Sequence, residues 1–319
     1  MNKNKKKIIY YWACDDRSNN GEGLLARNFI NLTKKNLKKY KFKSINNFSK
    51  YKEKSLFHKY VLPFIGVITL WKYHINKKKI SYINFLPAWN FLLIFLLPPN
   101  TILGPVTGSI KRKKFENIIK FFSLIGLKIL KYRYKKIIFS HDFYKNYLPH
   151  NKNKYFFNFL LYKFRISKKR KKKYDFVFYL RKHNNKGNNL TIKLIKRLSD
   201  KNFKICVIGE KIIFKKNIYN HGYISYKKAF NLISSSKYAV AGSENLFSFF
   251  LLDCLRNKLI VFYNKKFHLN KNIIKTNLLY PINFENYKKS ENLILKKIEL
   301  KKKPYIRLKN INFDNYFDN

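Results

Sequence analysis

The chemistry-bearing residues of this chain gather at a few short loops. Gly242-Ser243-Glu244-Asn245 interrupts a basic chain between the apolar runs Tyr238–Ala241 and Leu246–Arg256. A carboxylate at the end of a strand, as Glu244 would be, can accept hydrogen bonds from sugar-type hydroxyls. Asp253 stands nine positions on, about 2.5 helical turns away. The plain reading of Asp253 is an exposed carboxylate in the C-terminal half of a helix, tolerated against the dipole. Arg181 closes the run Tyr174–Leu180, and Lys186-Gly187 follow shortly before a helical pattern. Two cations above a helix N-terminus suit a diphosphate and stabilise one that departs. Near the start, Gly21, Glu22 and Gly23 open another helix, where free N–H groups can receive an anion or a hydroxyl-rich ligand. The alternative there is a simple turn with an acid favoured by the dipole. Gly21, Gly23 and Ala26 fit a loose G-x-G-x-x-A fingerprint, but no acidic residue follows about 20 positions on to hold a ribose. Finally, Gly104-Pro105-Val106-Thr107-Gly108-Ser109 exposes backbone and hydroxyls, or is a plain strand-to-helix turn.

Such loops need strands to present them. In the second half, Tyr174–Leu180, Phe203–Gly209, Tyr238–Ala241 and Leu259–Tyr263 read as strands. Tyr223–Ser225 reads as an edge strand. Helical patterns over Leu190–Leu198, Tyr226–Ile233 and Leu246–Arg256 alternate with them, the signature of βαβ units and a parallel sheet. The first half repeats the rhythm less cleanly. Strands are expected at Lys7–Trp12, Ser81–Phe85, Thr101–Leu103 and Lys136–Ser140, and helices at Leu24–Leu37 and Phe115–Leu130. Residues 168–173 are six consecutive basic residues, an extended linker by self-repulsion. The expected organisation is an α/β domain over 1–150, a basic linker over 151–173, and a second α/β domain with its tail over 174–319. Ligands of such sheets bind beyond the carboxyl ends of the strands, which is where the loops above lie.

Composition bounds the possibilities. The 319 residues are 46% hydrophobic and 18% aromatic, enough for two packed cores and too apolar for overall disorder. Cys14, Cys206 and Cys254 match neither a disulfide framework nor a zinc motif, so a reduced, cytoplasmic chain is expected. The histidines and Asp15-Asp16 show no metal-ligand spacing, so no metal is expected. The formal charge of +54 invites a polyanion partner. However, only 10 of the 70 basic residues are Arg, the residue that reads phosphates and bases best. Lys, Asn, Ile, Phe and Tyr, all with AT-rich codons, crowd the chain together, which points to compositional drift. A basic nucleic-acid-binding protein is the rival reading, and no specific nucleic acid is expected as partner. Attraction to an anionic membrane surface survives under either reading.

The N-terminal apolar stretch Ile8–Cys14 runs into two aspartates and is expected to be a strand, not a signal peptide. Residues 80–110 carry no charge but are broken by Pro87, Pro98-Pro99, Gly104 and Pro105. Their longest plausible helix, Ala88–Leu97, reaches about 15 Å, half of a hydrocarbon core. A buried helix is expected, with shallow insertion into a membrane face as the alternative.

Taken in order, these segments resemble the GT-B glycosyltransferases of the large group-1 (family four) type. The resemblance is strongest over 174–264, where strand-R…KG, a strand ending VIGE, HGYIS and ENLFSFFLLDCL succeed one another. It implies two Rossmann-like domains facing across a cleft, a nucleotide-sugar substrate, no cofactor or metal, and a retaining transfer to a polysaccharide or lipid-linked glycan. It further implies that Arg181, Lys186 and Gly187 hold the diphosphate, with Gly209, Ser243, Glu244 and Asn245 around the donor and Asp253 at its ribose. Gly21 and Gly23 would meet the donor phosphate or the acceptor, and Gly104, Thr107 and Gly108 the acceptor side. Glu22, with His141, is a candidate base. Two departures stand out: the family's paired glutamates lie eight positions apart, against nine here with Asp second, and its small Gly after the first Glu is Asn245. An inactive GT-B relative is therefore a third reading.

Overall fold

The structure is a computed structural model that describes residues 6–14, 16, 21–48, 57, 61–83, 91–106, 125, 133–134, 136–139, 154–156, 171–181, 188–211, 217–242, 248–265, 274–299, 304–308 and 312–318. The chain divides into two compact units, one of Met1–Gly108, Arg112–Tyr162 and Asn310–Asn319, the other of Ser109–Lys111 and Lys163–Lys309.

In the first unit the elements are β1 (Lys7–Ala13), α1 (Gly21–Asn36), β2 (Tyr40–Ser44), α2 (Leu62–Ile75), β3 (Lys79–Ile83), α3 (Phe91–Leu96), β4 (Ile102–Val106), β5 (Ile137–Phe139) and β6 (Lys154–Phe156). The described strands pair in parallel in the order β2-β1-β3-β4-β5-β6. Helix α1 buries Ala26, Phe29, Ile30 and Thr33, a 3.6-residue stripe, and ends on Lys34 and Lys35, which suit its negative end. Helix α2 starts with Pro63 in its first turn, where no N–H is needed. It lies so close to β1 that a Cβ at Gly66 would stand 2.3 Å from the Trp12 indole nitrogen. The core joins Trp12, Leu62, Val67, Leu70, Tyr82, Leu97, Leu103 and Ile137.

Segment 310–319, expected in the second domain, folds in the first unit instead. A 3-10 turn over Phe313–Tyr316 buries Asp314, whose carboxylate accepts from Lys38 N–H (3.2 Å) and Lys39 N–H (3.1 Å) beyond the end of α1. The buried Phe317 packs on Phe42 with ring centroids 5.4 Å apart. Strand β6 also lies within the range expected to be linker.

The second unit contains β7 (Tyr174–Leu180), α4 (Asn188–Asp200), β8 (Ile205–Gly209), β9 (Ile218–Asn220), α5 (Tyr226–Ser234), β10 (Ser236–Val240), α6 (Phe249–Arg256), β11 (Ile260–Asn264), β12 (Ile274–Thr276), β13 (Leu279–Ile282), α7 (Tyr287–Ile298) and β14 (Ile306–Leu308). Its main sheet runs β13-β11-β10-β7-β8-β9, every pairing parallel, and β12 and β14 form a separate antiparallel pair. Alternate residues Phe176, Phe178 and Leu180 face Leu194, Ile195 and Leu198 of α4 in one core. The expected edge strand at Tyr223–Ser225 is instead the lead-in to α5, because the Ser225 hydroxyl caps that helix by accepting from Lys228 N–H. The edge strand is β9, five residues earlier. Lys172, in the run expected to be solvated, donates to the carbonyls of Ser234 (3.0 Å) and Ser236 (2.8 Å), pinning the entry to β7. No described helix is long and apolar enough to cross a membrane. The uncharged stretch 80–110 supplies β3, α3 and β4 of the first core, and its helix is the six-residue α3.

Candidate functional site

Strand order alone marks where each sheet opens. In the second unit, β8 and β9 are added on one side of β7, whereas β10, β11 and β13 lie on the other. The order reverses between β7 and β10, and open parallel sheets take ligands beyond the carboxyl ends of the strands at such a reversal. Register sets Phe178 opposite Val240, which brings Gly242 level with Leu180 on the adjacent strand. Arg181, exposed, leaves β7 at this level, and α4 presents its N-terminus a few residues later. A Cβ at Gly242 would meet no heavy atom of the described residues within 4 Å.

The backbone at the end of β8 is tightly built. Gly209 has φ +106°, and a Cβ there would stand 1.9 Å from the Leu180 carbonyl oxygen, so only glycine fits. The turn it allows lets Glu210 N–H donate to that same carbonyl at 2.9 Å. Glu210 then accepts from the Tyr223 hydroxyl at 3.3 Å. Burial and the Glu210 carboxylate push the Tyr223 phenol upward, while the Arg181 charge opposes the rise. Tyr179 stacks on Phe250 of α6 with centroids 5.9 Å apart. Among the described residues, the carboxyl ends of β7, β8 and β9 thus carry the cations Arg181 and Lys211, the carboxylate Glu210 and the exposed rings of Tyr179 and Tyr223. Tyr179, Glu210, Tyr223 and Phe250 were not singled out from sequence. The alternation of β7, which turns Tyr179 outward between buried Phe178 and Leu180, is the signal for the first of them.

Asp253 is not the exposed carboxylate that its place in the helix suggests. It is only 2% exposed, and one carboxylate oxygen accepts from the Tyr226 hydroxyl (3.1 Å) and from Arg256 Nη1 (2.9 Å). Burial raises its carboxyl above the usual range, and Arg256 and Tyr226 work against that rise. A solvated, tolerated aspartate is therefore corrected to a buried link between α5 and α6.

In the first unit the order reverses between β1 and β3. Cys14 follows β1, with the Trp12 indole N–H 3.3 Å and the Tyr82 hydroxyl 3.4 Å from its sulfur. Gly21 and Glu22 lie in the first turn of α1, and Gly23, buried, lies one residue further. Gly104 sits inside β4 with φ +120°, its missing Cβ 2.2 Å from the Ile138 carbonyl oxygen. A backbone approach between strands accounts for that glycine. Of the expected site, the structure joins Arg181 and Gly209 through Leu180 at one sheet edge. Lys186, Gly187, Ser243, Glu244, Asn245, Thr107, Gly108 and His141 lie outside the described residues.

No family model matches the chain, and no curated protein does. Solved structures match it across both units. Sucrose-phosphate synthase from Thermosynechococcus elongatus is similar with a TM-score of 0.58 at 10% identity, covering 92% of this chain and 90% of its own. HepE of Anabaena, in complex with UDP and glucose, reaches 0.56 at 9% identity over 92% and 90%. UDP-GlcNAc 2-epimerase of Methanocaldococcus jannaschii, with UDP-GlcNAc and UDP, reaches 0.55 at 10% identity over 98% of each chain. Against some larger proteins that it also matches, the chain spans about half of their length. At such identities the likeness speaks for architecture alone: the chain has the GT-B fold, with two Rossmann-like α/β units.

Proposed function

We propose that the chain is a glycosyltransferase that moves a sugar from a nucleotide-sugar donor to a polysaccharide or lipid-linked glycan, in surface polysaccharide synthesis at the inner face of the membrane. The observation that carries this reading is the reversal of strand order in the second unit, where the register sets Arg181 and Gly242 at the carboxyl ends of adjacent strands. Similar architecture in proteins solved with UDP and sugars supports it.

In this reading the bond between the anomeric carbon and the diphosphate oxygen breaks, and the acceptor hydroxyl oxygen takes its place. Arg181, Lys186 and the N-terminus of α4 meet the charge that develops on the departing diphosphate, so no metal is required. Glu244, Ser243 and Asn245 hold the donor sugar from the β10 side. The acceptor proton passes to a departing phosphate oxygen on the same face of the ring, which retains configuration; Glu22 is the alternative acceptor of that proton. Loop 104–108 meets the acceptor.

A thermal-shift screen against UDP, GDP, CMP, ADP and TDP at high salt tests the donor site. A ligand that binds only the folded chain raises its apparent stability, and salt suppresses indiscriminate pairing with the +54 surface. One nucleotide should shift the midpoint selectively, and Arg181→Ala should abolish the shift. If none did while RNA bound tightly at low salt, the nucleic-acid reading would replace this one. Coverage of 98% of the epimerase chain favours one second reading, epimerisation of a UDP-sugar. Product analysis separates them: transfer requires an acceptor, and epimerisation proceeds without one.

A further inference from the structure

Helix α2 turns its inner face, Leu62, Gly66, Val67 and Leu70, into the first core. Its outer face is also apolar. Ile68 is 72% and Ile75 73% exposed, and at a spacing of seven they lie on one stripe. Val61, on the same stripe, is exposed as well. Beside them the Trp71 indole N–H donates to the Leu96 carbonyl at 2.7 Å, which ties α3 to α2, and Leu96 is itself exposed. Lys72 is exposed between Ile68 and Ile75, and exposed Lys77 and Lys78 follow the helix directly. From Glu53 to Glu116 the chain contains no Asp or Glu.

We infer that this face of α2 and α3 seats on an anionic phospholipid bilayer. The assignment does not depend on the sugar-transfer reading. An apolar stripe with a tryptophan at its border and lysines within and beyond it is the pattern of a helix lying in the membrane interface. Phosphate backbone would leave the isoleucines in water, and a second copy would bring Lys72, Lys77 and Lys78 against their own kind in a chain of charge +54. A surface of anionic headgroups over acyl chains satisfies both parts at once.

Flotation of the full chain with vesicles tests this. The unaltered chain should rise with vesicles of phosphatidylglycerol and phosphatidylcholine, far less with phosphatidylcholine alone, and less as salt is raised. Ile68→Glu with Ile75→Glu should lower the partition about tenfold or more. Both sites are exposed, so the melting curve of the variant should match that of the unaltered chain. Lys72→Glu with Lys77→Glu and Lys78→Glu should remove the preference for anionic lipid. The inference is overturned if the chain does not float, or if the isoleucine variant floats as the unaltered chain does. It is overturned equally if light scattering shows a dimer that the isoleucine variant dissolves while neither form binds vesicles.

Discussion

The two units build the same parallel sheet with a single reversal of strand order, yet they finish its edge differently. At the reversal in the second unit, the strand ends deliver a guanidinium and a glycine. At the reversal in the first, they deliver a thiol flanked by an indole and a phenol. One edge carries an exposed guanidinium, and the other a thiol between aromatic groups with Asp16 two residues beyond it, so similar backbones end in different side-chain chemistry. A second contrast concerns cohesion. Helices of the second unit are joined through buried acids, Asp253 of α6 to Tyr226 of α5 and Glu291 of α7 to Arg197 of α4 with Lys201 at 3.9 Å. Helix α2 of the first unit is held by close apolar packing on Trp12.

The sharpest way to break the contrast in cohesion is Asp253→Ala. It would remove the acceptor shared by the Tyr226 hydroxyl and the largely buried Arg256, and should destabilise by about 4 kcal/mol, the range for a broken buried pair. Denaturant unfolding of the variant would read it; a change under 1 kcal/mol would mean that the acid is dispensable. Removing Glu291 should cost less, because Arg197 is half exposed and can return to water. Next in size, Gly209→Ala and Gly104→Ala should each cost about 3 kcal/mol through positive φ and overlap with a neighbouring carbonyl. Similar losses in the two would show that both sheets use one backbone device. The contrast between the edges is sharpened by Arg181→Ala, expected to lower turnover about 100-fold with the melting temperature unchanged, against Cys14→Ser, expected to leave turnover within about twofold. The smallest effect concerns pH. Burial, aided by the Lys228 charge, holds the His221 imidazole below its ordinary value of 6.5. The unfolded chain therefore takes that proton first, and stability should fall as pH drops from 6.5 through the folded value. His221→Gln should reduce the difference in melting temperature between pH 7.5 and 5.5.

Much of the second sheet was legible in sequence because its central strands are continuous apolar runs bounded by polar loops, YDFVFYL being the clearest. Strand β2 was not, since only Phe42 of YKFKS is buried and the rest alternates as an edge must. Helix α2 was missed for the opposite reason. LPFIGVITLWKYHI is apolar on both faces and rich in β-branched residues, so periodicity could not separate inside from outside. That same feature marks the surface assigned above to lipid. The strand-end positions of Arg181 and Gly209 were legible because strand ends are punctuated by glycine and charge. Asp253 was misjudged because its partner Tyr226 lies 27 positions earlier, a tertiary contact that no local pattern contains.

Segment 310–319 has a consequence for how the molecule comes into being. During synthesis, residues 163–309 leave the ribosome complete before the first unit has received its last piece. At roughly 10 residues per second that interval is on the order of 15 s. Throughout it, the amides of Lys38 and Lys39 lack the Asp314 carboxylate, and the ring of Phe42 lacks Phe317. The unit whose first strand is translated first thus receives this segment only after residues 163–309 have been made.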